Sequence, residues 1–354
     1  MARAYTVEAA HTGSPEWPGQ GRCQSGAGTR GERPPGFLKR HRVGMWRRGW
    51  VLAVLAVLLS ALLLLHSRIP NTVGSLGSLL QTFLPWLGLG VPLLLCCALL
   101  RRSATALVAL LLPVTAWLYL FGGLLTDKTG ETTPGDLVVV THNVSADNPE
   151  PVATARQLAA SGAHIIALEE VTSKAAPAYA KVLKATHPHH AMRGTVALFS
   201  RYPLSDTRAV DIELGWTRAL RTTVHTPQGR VAAYVAHLPS VRVRVDAGFT
   251  AEQRDRAAEH LGRSLAAEPL RRVVLLGDLN GTMNDRALAP VTSLLRSTQG
   301  AAGAGFGFSW PASFPMARID QIMVRGVRPV SSWSLPATAS DHLPVAASVD
   351  LTSE

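Results

Sequence analysis

Cysteine is scarce in this chain and is missing from its C-terminal two-thirds. The 354 residues include three cysteines, Cys23, Cys96 and Cys97, and none follows position 97. The C-terminal part therefore has no disulfide, no thiol nucleophile and no zinc site built on cysteine. Any chemistry there must use oxygen and imidazole groups, and no disulfide-linked partner is expected.

Charged residues are nearly absent from residues 49–125, which contain three arginines and no acidic residue. Three apolar stretches fill this region, at 50–65, 79–100 and 104–125. A helix needs about 20 mostly apolar residues to cross the hydrocarbon core of a bilayer. The sequence therefore predicts three transmembrane helices within residues 45–126. A cleaved signal peptide is the alternative for the first stretch, but the HSRIP that follows is a poor cleavage site.

A strong excess of positive charge is absent from the C-terminal part. Residues 127–354 contain 23 Lys+Arg and 21 Asp+Glu, whereas residues 1–126 contain 12 and 3. The basic residues therefore lie in the N-terminal tail and beside the apolar stretches, so the charge does not favour a polyanion-binding face. Residues 1–44 are rich in Gly, Pro, Arg and Ser, which predicts a disordered basic tail. Met45 is an alternative translation start.

The positions of these basic residues predict an orientation in the membrane. Five lysines and arginines lie between positions 39 and 48, and Arg101 and Arg102 separate the second and third stretches. Only Arg68 lies between the first and second stretches. Because basic loops stay in the cytoplasm, the N-terminus and the 101–102 loop are predicted to be cytoplasmic. Three spans of a cell-membrane protein then place residue 127 onward outside the cytoplasm.

Short apolar runs alternate with amphipathic segments beyond residue 136. The runs are rich in β-branched residues and are typical of buried strands. Helices are predicted at about 151–161, 174–185, 250–266 and 284–296. This mixture predicts one layered α/β domain over residues 127–354. The predicted strands cover residues 137–140, 165–168, 196–199, 231–235, 273–276, 322–324 and 345–349.

Polar residues lie at the ends of six of these runs. They are Asn143, Glu169 with Glu170, His237, Asp278 with Asn280, Asp320, and Asp341 with His342. If the strand ends meet at one edge of the sheets, these side chains form a pocket of oxygen ligands with two histidines. Each residue alone has an ordinary structural explanation, such as a turn at Asp278 before Leu-Asn-Gly. Their repetition at six strand ends favours a functional site.

The residue types in this pocket suit one kind of chemistry. Carboxylates and carboxamides without thiols are the ligands of a hard cation such as Mg²⁺ or Mn²⁺. Such a cation stabilises the negative charge that builds on phosphoryl oxygens during attack on a phosphodiester. A histidine can transfer a proton near neutral pH when a carboxylate fixes its tautomer. The pattern therefore predicts a divalent-metal-dependent phosphoesterase.

Three short motifs resemble the endonuclease/exonuclease/phosphatase superfamily. They are GDLN at 277–280, RID at 318–320 and SDHLPV at 340–345, in that order. The resemblance extends over residues 136–351. It implies a β-sandwich of two sheets flanked by helices, in four layers, and hydrolysis of a phosphodiester or phosphomonoester.

The resemblance also implies a metal site. Glu170 is similar to the principal metal-ligating glutamate of the superfamily, Asp341 supports the metal, and Asn143 binds the region of the metal and the phosphate. The glutamate motif usually reads Gln-Glu, but here it reads Glu169-Glu170. The extra carboxylate either binds a second ion or points to the other side of the strand. Gln321 stands where an aromatic residue is common after the RID motif.

The remaining implied roles concern the phosphate and the proton. By resemblance, Asp278 and Asn280 contact the phosphate and the attacking water or leaving group. His342 is the general acid or base, oriented by Asp320, and His237 donates a hydrogen bond to the phosphate oxygens. Whether Asp278 or His342 activates the water stays open.

The sequence leaves the substrate open. Nucleic acid, a phospholipid headgroup beside the bilayer and an inositol phosphate all remain candidates. The alternative from another class is a catalytically silent module that binds metal and phosphate on a membrane anchor. Measurable metal binding without hydrolysis distinguishes that module from an enzyme.

Overall fold

The computed structural model describes residues 49–72, 74–129, 135–244 and 248–351. The tail predicted at 1–44 lies outside these residues. The chain begins with apolar helices and continues into a domain of strands and helices, and the two parts pack against each other.

The described part of the N-terminal region, from residue 49 onward, contains five helices. They are α1 (Trp50–Leu65), α2 (Leu76–Thr82), α3 (Gly90–Leu100), α4 (Ala104–Ala109) and α5 (Leu111–Leu125), with 3₁₀ turns at His66–Arg68 and Leu84–Leu89. Two continuous helical segments are long and apolar enough to cross a membrane, Trp50–Arg68 and Ala104–Leu125. A third candidate is the pair Leu76–Thr82 and Leu84–Leu100, which is bent by 70°.

The bend separates α2 from the rest of the second predicted span. Pro85 lacks an N–H and disfavours helical geometry in the residue before it, so the helix is interrupted there. On the α2 side of the bend, Ser78, Gln81 and Thr82 are buried against the C-terminal domain. Gln81 accepts a hydrogen bond from the Arg286 backbone N–H at 2.9 Å. The second stretch is therefore an apolar segment that follows a docked, partly polar helix.

The C-terminal domain contains two six-stranded sheets. The strands of sheet A, in spatial order, are β13 (Arg328–Ser334), β14 (Val345–Asp350), β1 (Leu137–Asn143), β2 (Ile165–Glu169), β4 (Val196–Ser200) and β3 (His189–Arg193). Those of sheet B are β11 (Arg296–Ser297), β12 (Asp320–Arg325), β10 (Val273–Asp278), β7 (Gly229–Ala236), β6 (Ala219–Thr226) and β5 (Leu204–Ala209). A separate ribbon pairs β8 (Arg242–Arg244) with β9 (Gly248–Thr250). All seven predicted strands are confirmed.

Side chains from both sheets form the central core, which includes Val139, Ala167, Val235 and Val274. On the outside of sheet A pack α6 (Pro151–Ala160) and α7 (Ala176–Leu183). On the outside of sheet B pack α8 (Glu252–Ala266) and α9 (Ala289–Thr292). A last short helix, α10 (Thr298–Ala302), lies beside β13. The molecule thus has the four layers expected, helix, sheet, sheet and helix.

One predicted helix is wrong in extent. Residues 284–296 form a 3₁₀ turn at Arg286–Leu288, then the four-residue α9, and they end at β11. Asp285 caps the turn by accepting the Ala287 N–H at 3.0 Å. Pairing of Arg296 with Val324 of β12 then ends the helical stretch.

The sheet topology brings the polar strand ends to one rim. β1 runs parallel to β2, and β7 runs parallel to β10. Each pair therefore ends on the same side, with Asn143 opposite Glu169. β12 and β14 run antiparallel to these strands, so they begin where the others end, and Asp278 lies opposite Asp320.

Candidate active site

A cleft of about 470 Å³ opens at this rim. Six of the residues predicted for the site line it directly: Asn143, Glu170, Asp278, Asn280, Asp341 and His342. The other two, His237 and Asp320, are buried and contact members of that set. The structure therefore brings all eight predicted residues together.

A buried chain of hydrogen bonds orients His342. Its Nδ1 bonds to Asp320 Oδ2 at 2.9 Å, and Ser309 Oγ donates to the same carboxylate oxygen at 2.6 Å. With Nδ1 engaged, Nε2 points toward the cleft and lies 3.9 Å from Asp278 Oδ2. His342 can thus exchange a proton with a group in the cleft through Nε2 alone.

The electrostatics of this pair favour a charged imidazole. Burial disfavours the imidazolium, but the negative charge and hydrogen bond of Asp320 outweigh it and raise the pKa of His342 to about 10. The same contact acts in reverse on Asp320, since its pKa is lowered despite burial by the charge and hydrogen bond of His342. The pair is a tight ion pair poised to donate a proton.

Asp278 is held by amide donors at the end of β10. It accepts a hydrogen bond from Asn143 Nδ2 at 3.1 Å and one from the Asn280 backbone N–H at 2.8 Å. Asn280 adopts φ 47°, a left-handed conformation that asparagine tolerates better than most residues. Burial, followed by repulsion from Asp320, raises the pKa of Asp278 to about 7. Such a carboxylate can accept a proton near neutral pH.

His237 lies between the carboxylates and a buried arginine. Its Nε2 is 3.6 Å from Glu170 Oε1 and 3.7 Å from Asp278 Oδ2, and the Arg218 guanidinium lies against its ring. Burial, with the nearby positive charge of Arg218, lowers the pKa of His237 well below its ordinary value. The imidazole is therefore neutral at physiological pH and can donate one hydrogen bond.

Glu170 has the geometry of a ligand. It follows β2 with φ 61°, which turns its side chain out of the strand and into the cleft. The Ala146 backbone N–H fixes its Oε2 at 2.9 Å, while the side chain stays 29% exposed. Asp341 also lines the cleft and is exposed, and Asn143 offers its amide oxygen nearby. These oxygen donors fit a hard divalent cation.

A second grouping of possible ligand atoms, those of Asp278, Asp320 and His342, lies within 4.8 Å. Asp320 is fully buried there, and its oxygens are already bonded to His342 and Ser309. This trio is better suited to moving a proton than to holding an ion.

Glu169 points away from the cleft. Its side chain enters the sandwich interior, where Thr141 Oγ1 donates to Oε1 at 2.8 Å and the other oxygen has no partner among the described residues. Burial raises the pKa of Glu169 well above its ordinary value, and the nearby charges of Asp320 and Asp278 raise it further. The structure thus gives the extra carboxylate an internal position.

Sequence reasoning missed several contributors to the site. Arg218 and Ser309 support His237 and Asp320, and neither belongs to a strand-end motif. Thr82 and Phe83, at the end of α2, line the cleft although they belong to a predicted transmembrane stretch. Only the polar residues of α2 hinted at this contact.

Comparisons with known proteins agree with this geometry. The model of the Endonuclease/Exonuclease/phosphatase family matches residues 140–342. Similar solved structures include a functionally unknown conserved protein from Enterococcus faecalis, at 17% identity, covering 60% of this chain and 99% of that one with a TM-score of 0.51. Beta toxin from Staphylococcus aureus is 15% identical, and the match covers 60% of this chain and 99% of the toxin with a TM-score of 0.50. An endonuclease/exonuclease/phosphatase from Bacteroides vulgatus is 16% identical, and the match covers 61% of this chain and 98% of that one with a TM-score of 0.51.

At these identities the structural likeness shows the fold alone, and curated proteins give no significant match. The family match, however, spans more than half of the chain and contains every residue of the cleft named from the sequence. Proteins of this kind are typically hydrolases of phosphate esters and generally use a divalent metal. The fold, the motifs and the match agree, and the chain belongs to the Endonuclease/Exonuclease/phosphatase family.

Proposed function

We propose that this chain is a membrane-anchored, divalent-metal-dependent phosphodiesterase that acts outside the cytoplasm. The observation that carries the catalytic part is the Asp320–His342 pair facing Asp278 in the cleft that Glu170 also lines. A proton donor, a proton acceptor and an oxygen ligand set therefore share one site, as phosphodiester hydrolysis requires.

Glu170, Asp341 and Asn143 would hold Mg²⁺ or Mn²⁺. The bound cation would supply charge stabilisation for the phosphoryl oxygens. The side chains of the protein orient the phosphate and protonate the leaving oxygen. His237, neutral and buried, donates a hydrogen bond to a phosphate oxygen, and Asn280, beside Asp278, also contacts the phosphate.

Proton transfer is divided between two residues in this proposal. Asp278 accepts the proton of the attacking water, because its carboxylate faces the cleft and its pKa lies near neutrality. His342 protonates the leaving oxygen through Nε2, because Asp320 occupies Nδ1. This division also follows from the raised pKa of His342, which makes it a donor rather than an acceptor at neutral pH.

The membrane anchor is supported by the outer surface of the helices. Apolar side chains remain exposed along α1 and α5, among them Leu58 at 57% and Tyr119 at 83%. Soluble proteins rarely expose a continuous apolar surface of this size. Anchoring by these helices and by the segment after Pro85 would cover that surface with lipid.

The orientation is supported by the position of the basic loop. Gly49 and Ser103 lie against each other at one end of the helices, beside Arg101 and Arg102. At the other end Arg286 of the domain donates to the Ser67 carbonyl oxygen at 2.9 Å. The domain thus lies at the end away from the arginines, which the positive-inside rule places outside the cytoplasm.

Hydrolysis of bis-p-nitrophenyl phosphate by the purified full-length protein in detergent tests the enzyme proposal. We expect turnover with Mg²⁺ or Mn²⁺ and its loss in His342→Ala. His225→Ala, an exposed histidine outside the cleft, is the matched control and should retain wild-type activity. Equal rates for His342→Ala and wild type would refute the proposal, and cation binding without turnover would identify a silent module.

A reporter fused after Glu354 and active only outside the cytoplasm tests the orientation. We expect an active reporter, and a silent one would mean that the orientation is reversed.

A further inference from the structure

An apolar groove lies where the helices meet the catalytic domain. It has a volume of about 460 Å³, and every residue that lines it is apolar or glycine. One wall comes from the segment after α2 and from α5, and the other comes from Phe306 and Phe308 of the domain. The size falls in the range of cavities that bind small organic ligands.

Neighbouring residues of one segment line the groove and the catalytic cleft. Thr82 and Phe83 line the cleft, while Pro85 and Trp86 line the groove. A smaller cavity of about 170 Å³ neighbours both, since it shares Thr82 with the cleft and Pro85, Phe306 and Phe308 with the groove. A molecule with one polar and one apolar end could therefore place the two ends in the cleft and the groove at once.

The groove is held open by rigid contacts. Trp86 donates its indole N–H to the Met316 carbonyl oxygen at 2.8 Å and stacks on Phe308, with ring centroids 5.8 Å apart. Trp117 donates to the Pro85 carbonyl oxygen at 2.9 Å. These bonds fix the aromatic walls in place before any ligand arrives, which reduces the cost of binding.

The groove also opens toward the lipid-facing surface. Leu89 and Leu118 line it and remain 62% and 49% exposed. An acyl chain in the bilayer could enter the groove sideways without crossing water.

The charge of the cleft disfavours a polynucleotide. Its described lining includes four acidic residues, Asp147, Glu170, Asp278 and Asp341, and no lysine or arginine. Binding of nucleic acid depends on basic contacts to many phosphates. A single phosphodiester needs only the cation and the hydrogen-bond donors already present.

We infer that the substrate is a membrane lipid with a phosphodiester headgroup, bound with its phosphate in the cleft and one acyl chain in the groove. The inference rests on the proposed phosphodiesterase function. Water adds to phosphorus, one P–O ester bond breaks, and the leaving oxygen takes up a proton as the water loses one. The products are an alcohol and a phosphomonoester, one of which keeps the acyl chains.

Filling the groove tests this inference. Leu118→Trp adds bulk inside the groove, whereas Leu112→Trp makes the same change on the same helix outside it, and both leucines are 49% exposed. The full-length enzyme in mixed micelles is assayed on dioleoyl- and dihexanoyl-phosphatidylcholine, on sphingomyelin, on plasmid DNA and on bis-p-nitrophenyl phosphate. Each methylene excluded from the groove should lower kcat/KM roughly fourfold.

We expect Leu118→Trp to lower kcat/KM on the long-chain lipids by at least about tenfold, since a few methylenes suffice for that loss. Its rate on bis-p-nitrophenyl phosphate should be unchanged, which also shows that the variant is folded, and Leu112→Trp should match wild type throughout. Equal lipid hydrolysis by Leu118→Trp and wild type would overturn the inference. So would cleavage of DNA but not lipid. Failure of wild type on every substrate, including bis-p-nitrophenyl phosphate, would instead overturn the phosphodiesterase proposal itself.

Discussion

Glu268 is the buried acid whose removal should most clearly destabilise the catalytic domain. Arg221 of β6 donates to both of its oxygens, at 2.9 and 2.8 Å, and the Tyr234 hydroxyl donates at 2.7 Å. The Leu270 backbone N–H supplies a fourth bond at 3.1 Å. The Glu268 side chain is fully buried, so these bonds replace water entirely. Glu268→Gln keeps the shape but removes the counter-charge that is hydrogen-bonded to the buried Arg221.

The size of the effect follows from the pKa of this carboxyl. Burial tends to raise it, but the hydrogen bonds of Arg221, Tyr234 and Leu270 outweigh burial and lower the pKa of Glu268 from 4.5 to about 2. At 1.36 kcal/mol for each pH unit, this difference contributes about 3 kcal/mol to the free energy of unfolding. Because the folded pKa is the lower one, this stability is present above pH 4.5 and is lost as the pH falls toward about 2. Breaking the pair by mutation should cost about 3–5 kcal/mol at neutral pH.

Chemical denaturation of the full-length protein in detergent, followed by circular dichroism, measures both effects. Wild type should lose stability as the pH falls below 4.5, whereas Glu268→Gln should be less stable at neutral pH and should lack this part of the acid dependence. Glu259→Gln makes the same change at an exposed position of α8 and should behave as wild type. Equal unfolding midpoints for Glu268→Gln and Glu259→Gln would refute the reasoning.

Two further predictions concern the cleft. Asp320→Asn removes the charge that holds the His342 imidazolium, so kcat should fall by about 10²–10⁴, while KM for bis-p-nitrophenyl phosphate changes little; a larger effect on KM than on kcat would contradict the assigned role. Glu170→Gln removes the charged oxygen ligand, so the affinity for Mn²⁺ measured by calorimetry should fall at least about tenfold, and EDTA should abolish turnover of the wild type. Unchanged Mn²⁺ affinity in Glu170→Gln would place the cation elsewhere.

Much of the site was predictable because the apolar runs indicate the strands and the polar residues lie directly at their ends. Runs of β-branched residues indicate buried strands, and polar residues directly after such runs must lie at a sheet edge. The antiparallel strands β12 and β14 begin at that same edge, so Asp320 and His342 meet there although 22 positions separate them. The positions of these residues at strand ends, together with the family resemblance of the motifs, therefore predicted that they meet.

Arg218 and Arg221 show what the pattern could not supply. Arg221 lies on β6 and Arg218 immediately precedes it, so the sequence places both on or beside an ordinary strand, where arginines are usually solvated. Arg221 instead lies under the layer formed by α8 and its following turn, bound to Glu268, and Arg218 lies against His237. Alternation indicates which side of a strand a residue faces, but it does not reveal whether a helix later in the chain covers that side.

The second apolar stretch was predictable in composition and not in shape. Averaged over its length, the run from 79 to 100 is apolar enough to span a bilayer, and this average conceals the polar residues at its start. Gln81 accepts the Arg286 N–H at 2.9 Å, and Ser78, just before the run, accepts a hydrogen bond from Arg254 at 3.1 Å and donates one to Asp285 at 3.2 Å, so α2 is bound to the domain. Buried polar groups need hydrogen-bond partners, which the domain supplies to α2 and which hydrocarbon lacks.

The docking of α2 also fixes its position relative to the catalytic cleft. Arg254 is buried, and it bonds to Asp285 at 2.6 Å and to the Asn280 backbone carbonyl at 3.0 Å. The same side chain thus contacts α2 and the loop that carries Asn280 into the cleft. Arg254 also pairs with Asp255 at 2.7 Å, so its charge is balanced by two carboxylates while it links α2 to this loop. Arg254 therefore links the N-terminal helices directly to the rim of the cleft.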